Sequence, residues 1–263
     1  MKTIKSYLGI YQQFLATCFA EASSFRLNFV LLILMDLLFY FTTLASVDFI
    51  FQYTDTIGVW SRDEFMFFVA FMLTIDQLHM TFISESFWML SAHIRQGMLD
   101  FILLKPKGTI FSVFFRYIRP ASLLNFVITW GLLIYYGSKV DLGFVDWALL
   151  PFFILLGLSL LTSLEILIST SMFWVIESFG INFLRMQFQH LSRWPDFVYH
   201  SLPRRLFTIV FPILLVGSAP VRFLLNKDEY WWILGMIGTQ VVFIFVIRFF
   251  WKLGLNRYES ASS

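Results

Sequence analysis

Long apolar runs alternate along this chain with short polar breaks. A helix that crosses a hydrocarbon core needs about 20 mostly apolar residues, and residues 27–50, 64–92, 119–136, 149–176 and 230–251 each meet that. Between the fourth run and the last the pattern is mixed. Residues 179–194 are apolar but carry Arg185, Gln187, Gln189, His190 and Arg193, whereas 206–225 are cleaner and contain Pro212 and Pro220. Hydropathy alone makes 206–225 the fifth span and leaves 179–205 as an interfacial helix; the alternative is that 179–194 spans and 195–225 forms a re-entrant hairpin. Either way the pattern predicts an all-α integral membrane protein of six transmembrane helices, one domain over 1–263.

The segments between the runs are informative. Within residues 1–26, Ile4, Leu8, Tyr11, Leu15 and Phe19 share one helical face, while Lys5, Gln12, Gln13 and Glu21 lie elsewhere. Ala20-Glu-Ala22 resembles a signal cleavage site, but Gln12 and Gln13 interrupt the apolar core that a signal needs. The expectation is an interfacial helix that turns at Ser23-Ser24 into the membrane. Helical patterning then continues from 62 to 94, further than a bilayer requires. The second span is therefore expected to project beyond the membrane and to end in the segment 95–108, RQGMLDFILLKPKG. Gly97 permits a break, Met98 to Leu104 supply one or two turns with an apolar face, and Pro106 stops the helix by biasing Lys105 away from helical geometry. The pattern leaves open whether this short helix rests on anionic lipid or docks into a protein groove.

Composition agrees with the pattern. The 263 residues are 59% hydrophobic, 20% aromatic and 14% charged, and the mean hydropathy is +0.75. A net charge of +2 gives no reason to expect nucleic acid. The single cysteine, Cys18, excludes an internal disulfide and a Cys-rich metal site. If 206–225 spans, all but four of the 19 Lys and Arg (the four are Arg62, Lys139, Arg222 and Lys227) fall on the side of the N-terminus, so both termini are expected in the cytoplasm.

Ionisable groups at membrane depth are costly and mark candidate sites. Asp36 lies in the first span, Asp76, His79 and Glu85 in the second, Glu165 in the fourth, and Arg185 in the mixed segment. His79, Ser86 and His93 recur every seven residues, which on one helix makes a polar stripe facing a pathway. The competing expectation is that Asp36 and Asp76 pair with Arg or Asn of neighbouring helices and simply hold the bundle together. His79 and His93 make no convincing metal site. A Gly-x-x-x-x-Gly-Lys-Ser/Thr loop is absent, and so is a Gly-x-Ser-x-Gly elbow, so neither nucleotide hydrolysis nor serine-nucleophile chemistry is expected here.

Several pieces together resemble a known family. They are Ser24-Phe-Arg-Leu-Asn-Phe29 entering the first span, Gly97-Met-Leu-Asp100 followed by Leu103-Leu-Lys-Pro106 between the second and third, then Trp194-Pro195, Leu202-Pro-Arg-Arg205, Phe211-Pro212, Ala219-Pro220 and the tail Asn256-Arg-Tyr-Glu-Ser-Ala261. The chain resembles the compact six-span bacterial permeases of ABC-2-type ATP-binding-cassette transporters. The resemblance implies that the segment with Gly97, Met98, Asp100, Phe101, Leu104, Lys105 and Pro106 is a coupling helix seated on a separate ATPase subunit, which binds ATP and Mg while this chain holds no cofactor. It further implies a pair of permeases, alike or different, an exporter working by alternating access, a bacterial inner-membrane location, and an outer re-entrant hairpin over 195–225. The competing expectation is a membrane anchor or assembly subunit that moves nothing.

Overall fold

A helix that is apolar on every side must be wrapped by others, and the segment from Arg62 to Phe82 is placed accordingly. The computed structural model describes residues 2–104, 108–175 and 179–258. Helix α1 (Lys2–Ser24) turns at Phe25 into α2 (Arg26–Ile50), and a small antiparallel pair, β1 (Thr56–Ile57) and β2 (Trp60–Ser61), leads into α3 (Arg62–Phe82). Three short helices follow, α4 (Ser84–Arg95), α5 (Met98–Leu103) and α6 (Thr109–Phe114). A 3-10 turn at Pro120–Asn125 opens α7 (Phe126–Gly137), and α8 (Phe144–Thr170) is the next long helix. Then come α9 (Phe179–Ser192), α10 (Ser201–Arg205) running into a π turn at Leu206–Val210, α11 (Leu215–Leu225) and α12 (Tyr230–Arg257).

In its most apolar stretch α3 is 89% buried, against 17% for α2 and for α12. It packs on α7, α8 and α11, so it forms the axis of the bundle, while α2 and α12 turn Leu34, Phe41, Val242 and Phe249 outward as lipid-facing surface. Among the described residues five helices, Arg26–Ile50, Arg62–Phe82, Pro120–Gly137, Phe144–Phe173 and Lys227–Arg257, are long and apolar enough to cross a membrane. The pair Ser201–Val210 and Leu215–Leu225, bent by 99°, makes a sixth if it counts as one span. At 14 residues, or ~21 Å, α9 is too short to cross alone.

The expected continuous helix over 62–94 is broken at Ile83 (φ −133°, ψ −49°). No Gly or Pro announces the break. Tertiary partners stabilise it instead: the Arg119 amide donates to the Thr81 carbonyl (2.9 Å), and the Tyr117 amide donates to Ser86 Oγ (3.0 Å). The seven-residue stripe is split as a result. His79 stays with α3, while Ser86 and His93 belong to α4 and face Tyr117, His93 Nε2 lying 3.1 Å from its hydroxyl. Helix α1 meets the bundle by part of its apolar surface. Tyr7, Tyr11 and Phe14 rest on Phe111 of α6, whereas Leu8 and Phe19 are exposed.

Small residues set the closest approach of α3, α8 and α11. A Cβ on Gly157 of α8 would stand 2.9 Å from the Val216 carbonyl oxygen and 2.7 Å from Ile75 Cδ1. Replacing Gly157 by Val should therefore force the helices apart and cost roughly 1–3 kcal/mol, read as a lower thermal transition of the purified chain. Gly131, with nothing within 4 Å of a Cβ, is the matched control; Gly131→Val should leave the transition nearly unchanged.

Candidate functional site

Asp76 and His79 lie three residues apart on α3 and so share a face, and α8 and α9 bring charges to it. His79 Nε2 is 2.5 Å from Glu165 Oε2 of α8, and Arg185 Nη1 of α9 donates to Glu165 Oε1 at 3.0 Å. Gln189, one turn after Arg185, gives its amide to Asp76 Oδ1 (3.0 Å) and lies 3.4 Å from His79 Nδ1. Arg193, just past the end of α9, closes on Asp76 Oδ2 through Nε at 2.6 Å. Aromatic faces support both guanidiniums. Arg185 stacks over Phe87 (4.8 Å) and Trp88 (5.5 Å), and Arg193 over Phe39 (4.7 Å).

Asp36 forms a separate cluster. It accepts from Arg119 Nη2 (3.1 Å), Ser122 Oγ (2.8 Å) and Asn125 Nδ2 (3.0 Å), all at the start of the third span. A third cluster closes the other end of the bundle. Asp196 is held by Arg222 through two hydrogen bonds, 2.8 and 3.2 Å, and also by Arg204, while Arg222 reaches Glu229 at 2.8 Å. Breaking a buried pair by removing one partner costs about 3–5 kcal/mol, so all three clusters are structural before they are anything else.

Of the residues singled out in the sequence, Asp76, His79, Glu165 and Arg185 come together, and Asp36 stands apart with its own donors. Glu85 is on α4, outside the α3 span, and lines a cavity of about 290 Å³ between α2, α4 and α9. Sequence reasoning did not select Arg119, Gln189, Arg193, Asp196 and Arg222. The available signal was the four-residue spacing of Arg185, Gln189 and Arg193, which puts three donors on one face of a helix. Among the described residues no group of three or more His, Cys, Asp or Glu is arranged to hold a metal.

At the opposite end from Asp196, Gly97 adopts a left-handed backbone (φ 68°) that ends α4 and starts α5. Leu99 and Ile102 of α5 are buried, while Met98 is 44%, Phe101 65% and Leu104 82% exposed. The exposed three sit at successive intervals of three, so they share one uncovered apolar face. Asp100 neighbours Tyr258 after the last helix, and burial followed by the Asp100 carboxylate pushes the Tyr258 hydroxyl above its ordinary pKa. Lys105 and Pro106, the remaining residues expected in this element, lie outside the described residues.

With this geometry in view, the chain was compared with known proteins. The family model described as "ABC-2 family transporter protein" matches residues 37–262. No curated protein and no solved structure matches the chain. A bundle of apolar helices around an axial span, matched by that model over most of its length, places the chain in one family: it belongs to the ABC-2 family of transporter proteins.

Proposed function

We propose that this permease subunit of an ABC transporter is an exporter that works by alternating access, driven through α5 by a separate ATPase subunit. The observation that carries the proposal is the uncovered face of Met98, Phe101 and Leu104, on a six-residue helix strung between membrane helices. Such a face fits helix-in-groove docking. ATP and Mg bind the partner, which closes on nucleotide and displaces α5. Displacement of α5 passes to α4, against which it packs, and α4 carries Phe87 and Trp88 under the Arg185 guanidinium. Arg185 in turn holds Glu165 and, through it, His79 of the axial helix. A contiguous set of packed groups therefore runs from the ATPase contact to the buried cluster.

The rest of the arrangement follows from the same reading. Two permeases, identical or similar, face each other to enclose the path, in the plasma membrane of a bacterium, with both termini cytoplasmic. Residues 179–194, tied to α3 and α8 by Arg185 and Arg193 and continued by the segment after Ser192, make the fifth crossing, and residues 195–225 form an outer re-entrant hairpin. In support, Asp196 and Arg222 tie this segment to Glu229, beside the Lys227–Asp146 pair, at the end that also carries Arg62–Asp48 and Lys139–Asp63 and lies away from α1 and α5. The 99° bend between Val210 and Leu215, with Val216 packed against Gly157, returns the chain from within the bundle.

Phe101→Asp and Leu104→Asp should each lower recovery of the ATPase with the tagged permease on the order of tenfold or more, as loss of a central apolar anchor does, while membrane insertion is unchanged. Equal recovery with both variants would remove α5 as the docking element. For topology, His200→Cys in a Cys18→Ser background should react with an impermeant thiol reagent applied to intact cells. Reaction only after the membrane is opened would put the hairpin on the cytoplasmic side.

A further inference from the structure

The cavity between α2, α4 and α9 does not stand alone. It shares Glu85 and Arg119 with a second cavity, of about 420 Å³, that opens at the elbow between α1 and α2. The two make one groove, from the amphipathic helix at the membrane surface to the buried arginines. Its walls are greasy: Phe25, Leu32 and Met89 line the part near the elbow, and Phe39, Met80 and Trp88 the part further in. These residues give hydrocarbon a place to lie beside the polar lining, which at the elbow end includes Glu21 and Asn28.

The polar part of the groove is unusual in its electrostatics. Three guanidiniums, Arg119, Arg185 and Arg193, line the inner cavity, and each is gripped from behind by a carboxylate that does not line it: Asp36, Glu165 and Asp76. Their charges are cancelled, but not all their hydrogens are used. A guanidinium has five N–H donors in a fixed fork. Arg185 spends one on Glu165, and its Nε, like that of Arg119, is buried with no partner among the described residues. Arg185 is itself 1% exposed. Against these donors the inner cavity sets one carboxylate, Glu85, partly buried and in no ion pair among the described residues, while Glu21 lines the groove only at its elbow end.

A headgroup for such a place must accept hydrogen bonds from the guanidiniums. It must also offset Glu85, because an uncompensated charge in a low-dielectric site is strongly disfavoured. A simple anion meets the first requirement and worsens the second; a simple cation does the reverse. We infer that the groove takes a zwitterionic amphiphile, its oxyanion on Arg119, Arg185 and Arg193, its ammonium on Glu85 and its chain along the apolar walls, admitted sideways from the leaflet in which α1 lies. This substrate class rests on the permease reading above, and its test does not depend on ATP turnover.

The test is photolabelling of the full complex in nanodiscs with octyl phosphoethanolamine bearing a diazirine on its chain, the label being mapped by peptide mass spectrometry. Label should fall on α4, α9 and the 117–120 segment. Unlabelled octyl phosphoethanolamine should compete at a concentration about tenfold lower than octyl phosphate, octyltrimethylammonium or octyl glucoside, the discrimination expected of charge complementarity. Glu85→Gln should erase the advantage over octyl phosphate. Glu85→Asp, which keeps the charge, should retain most of it. Label confined to the outer faces of α2 and α12, equal competition by all headgroups, or an unchanged ranking in Glu85→Gln would each overturn the inference. A complex that assembles with its ATPase yet shows such a result leaves the permease reading standing. A chain that binds with the stated ranking but never recovers an ATPase retains the groove and loses the transporter.

Discussion

Charge inside an apolar bundle has to be met by charge, and much of this structure is arranged to meet it. In lipid, helices gain little by hiding hydrocarbon from one another, so packing and polar contacts decide what stays together. Here Asp36, Asp76 and Glu165 each join a peripheral element to a more central one, and Asp196 closes the hairpin. Asp36 secures the poorly buried α2 to the start of the third span. Asp76 and Glu165, on the axial helix and on α8, hold α9, which is too short to be kept in register by a bilayer. Asp196 binds the bent hairpin to itself through Arg222 and Arg204. Remove these pairs and α2, α9 and the hairpin lose what fixes their positions, although their hydropathy is unchanged.

The two ends of the molecule are held differently. At the hairpin end, ion pairs link successive connections: Asp48 with Arg62, Asp63 with Lys139, Asp146 with Lys227 and Asp196 with Arg222. Exposed pairs are individually worth ~0–1 kcal/mol, but the Asp196 cluster is buried and double-bonded, which gives that end one firm lock. At the α5 end the contacts are mostly aromatic. Phe87, Phe114, Trp251 and Phe173 follow one another at ring separations of 4.7, 5.4 and 5.3 Å. Such a row can slide and repack without leaving a charge unpaired.

Much of this was legible in the sequence. Long apolar runs marked the spans, Gly97 marked the start of α5, and Asp76, His79, Glu165 and Arg185 were each singled out because the cost of burying a charge marks it wherever it falls, although the sequence did not say that the four would meet. The break at Ile83 was not legible, since it depends on amide donors from Tyr117 and Arg119, more than thirty residues along the chain. Which side of α1 meets the protein was not legible for a related reason: in the interface one apolar face is satisfied by Phe111 and another by lipid, and periodicity does not say which is which. Nor did the sequence show that Arg193 and Arg204 each pair with a buried carboxylate, Asp76 and Asp196, far from them in the chain or across a turn.

That pairing bears on how a transporter can be polar inside without being charged. If a single network served both to hold the helices and to face the cargo, each passage would strip the bundle of its bonds. The arginines of the groove divide the work by geometry. One edge of each fork stays on its carboxylate, while Nε of Arg119 and of Arg185 has no partner among the described residues. Hydrogen-bond donors can then be offered to a guest at near-zero net charge. Among the described residues of the inner cavity, Glu85, sited on the short helix that adjoins α5, is the carboxylate that adds a charge of its own to the lining. A shift of α4 would therefore change the electrostatics of the groove more than a shift of any arginine, because the arginines move with their counter-charges and Glu85 moves alone.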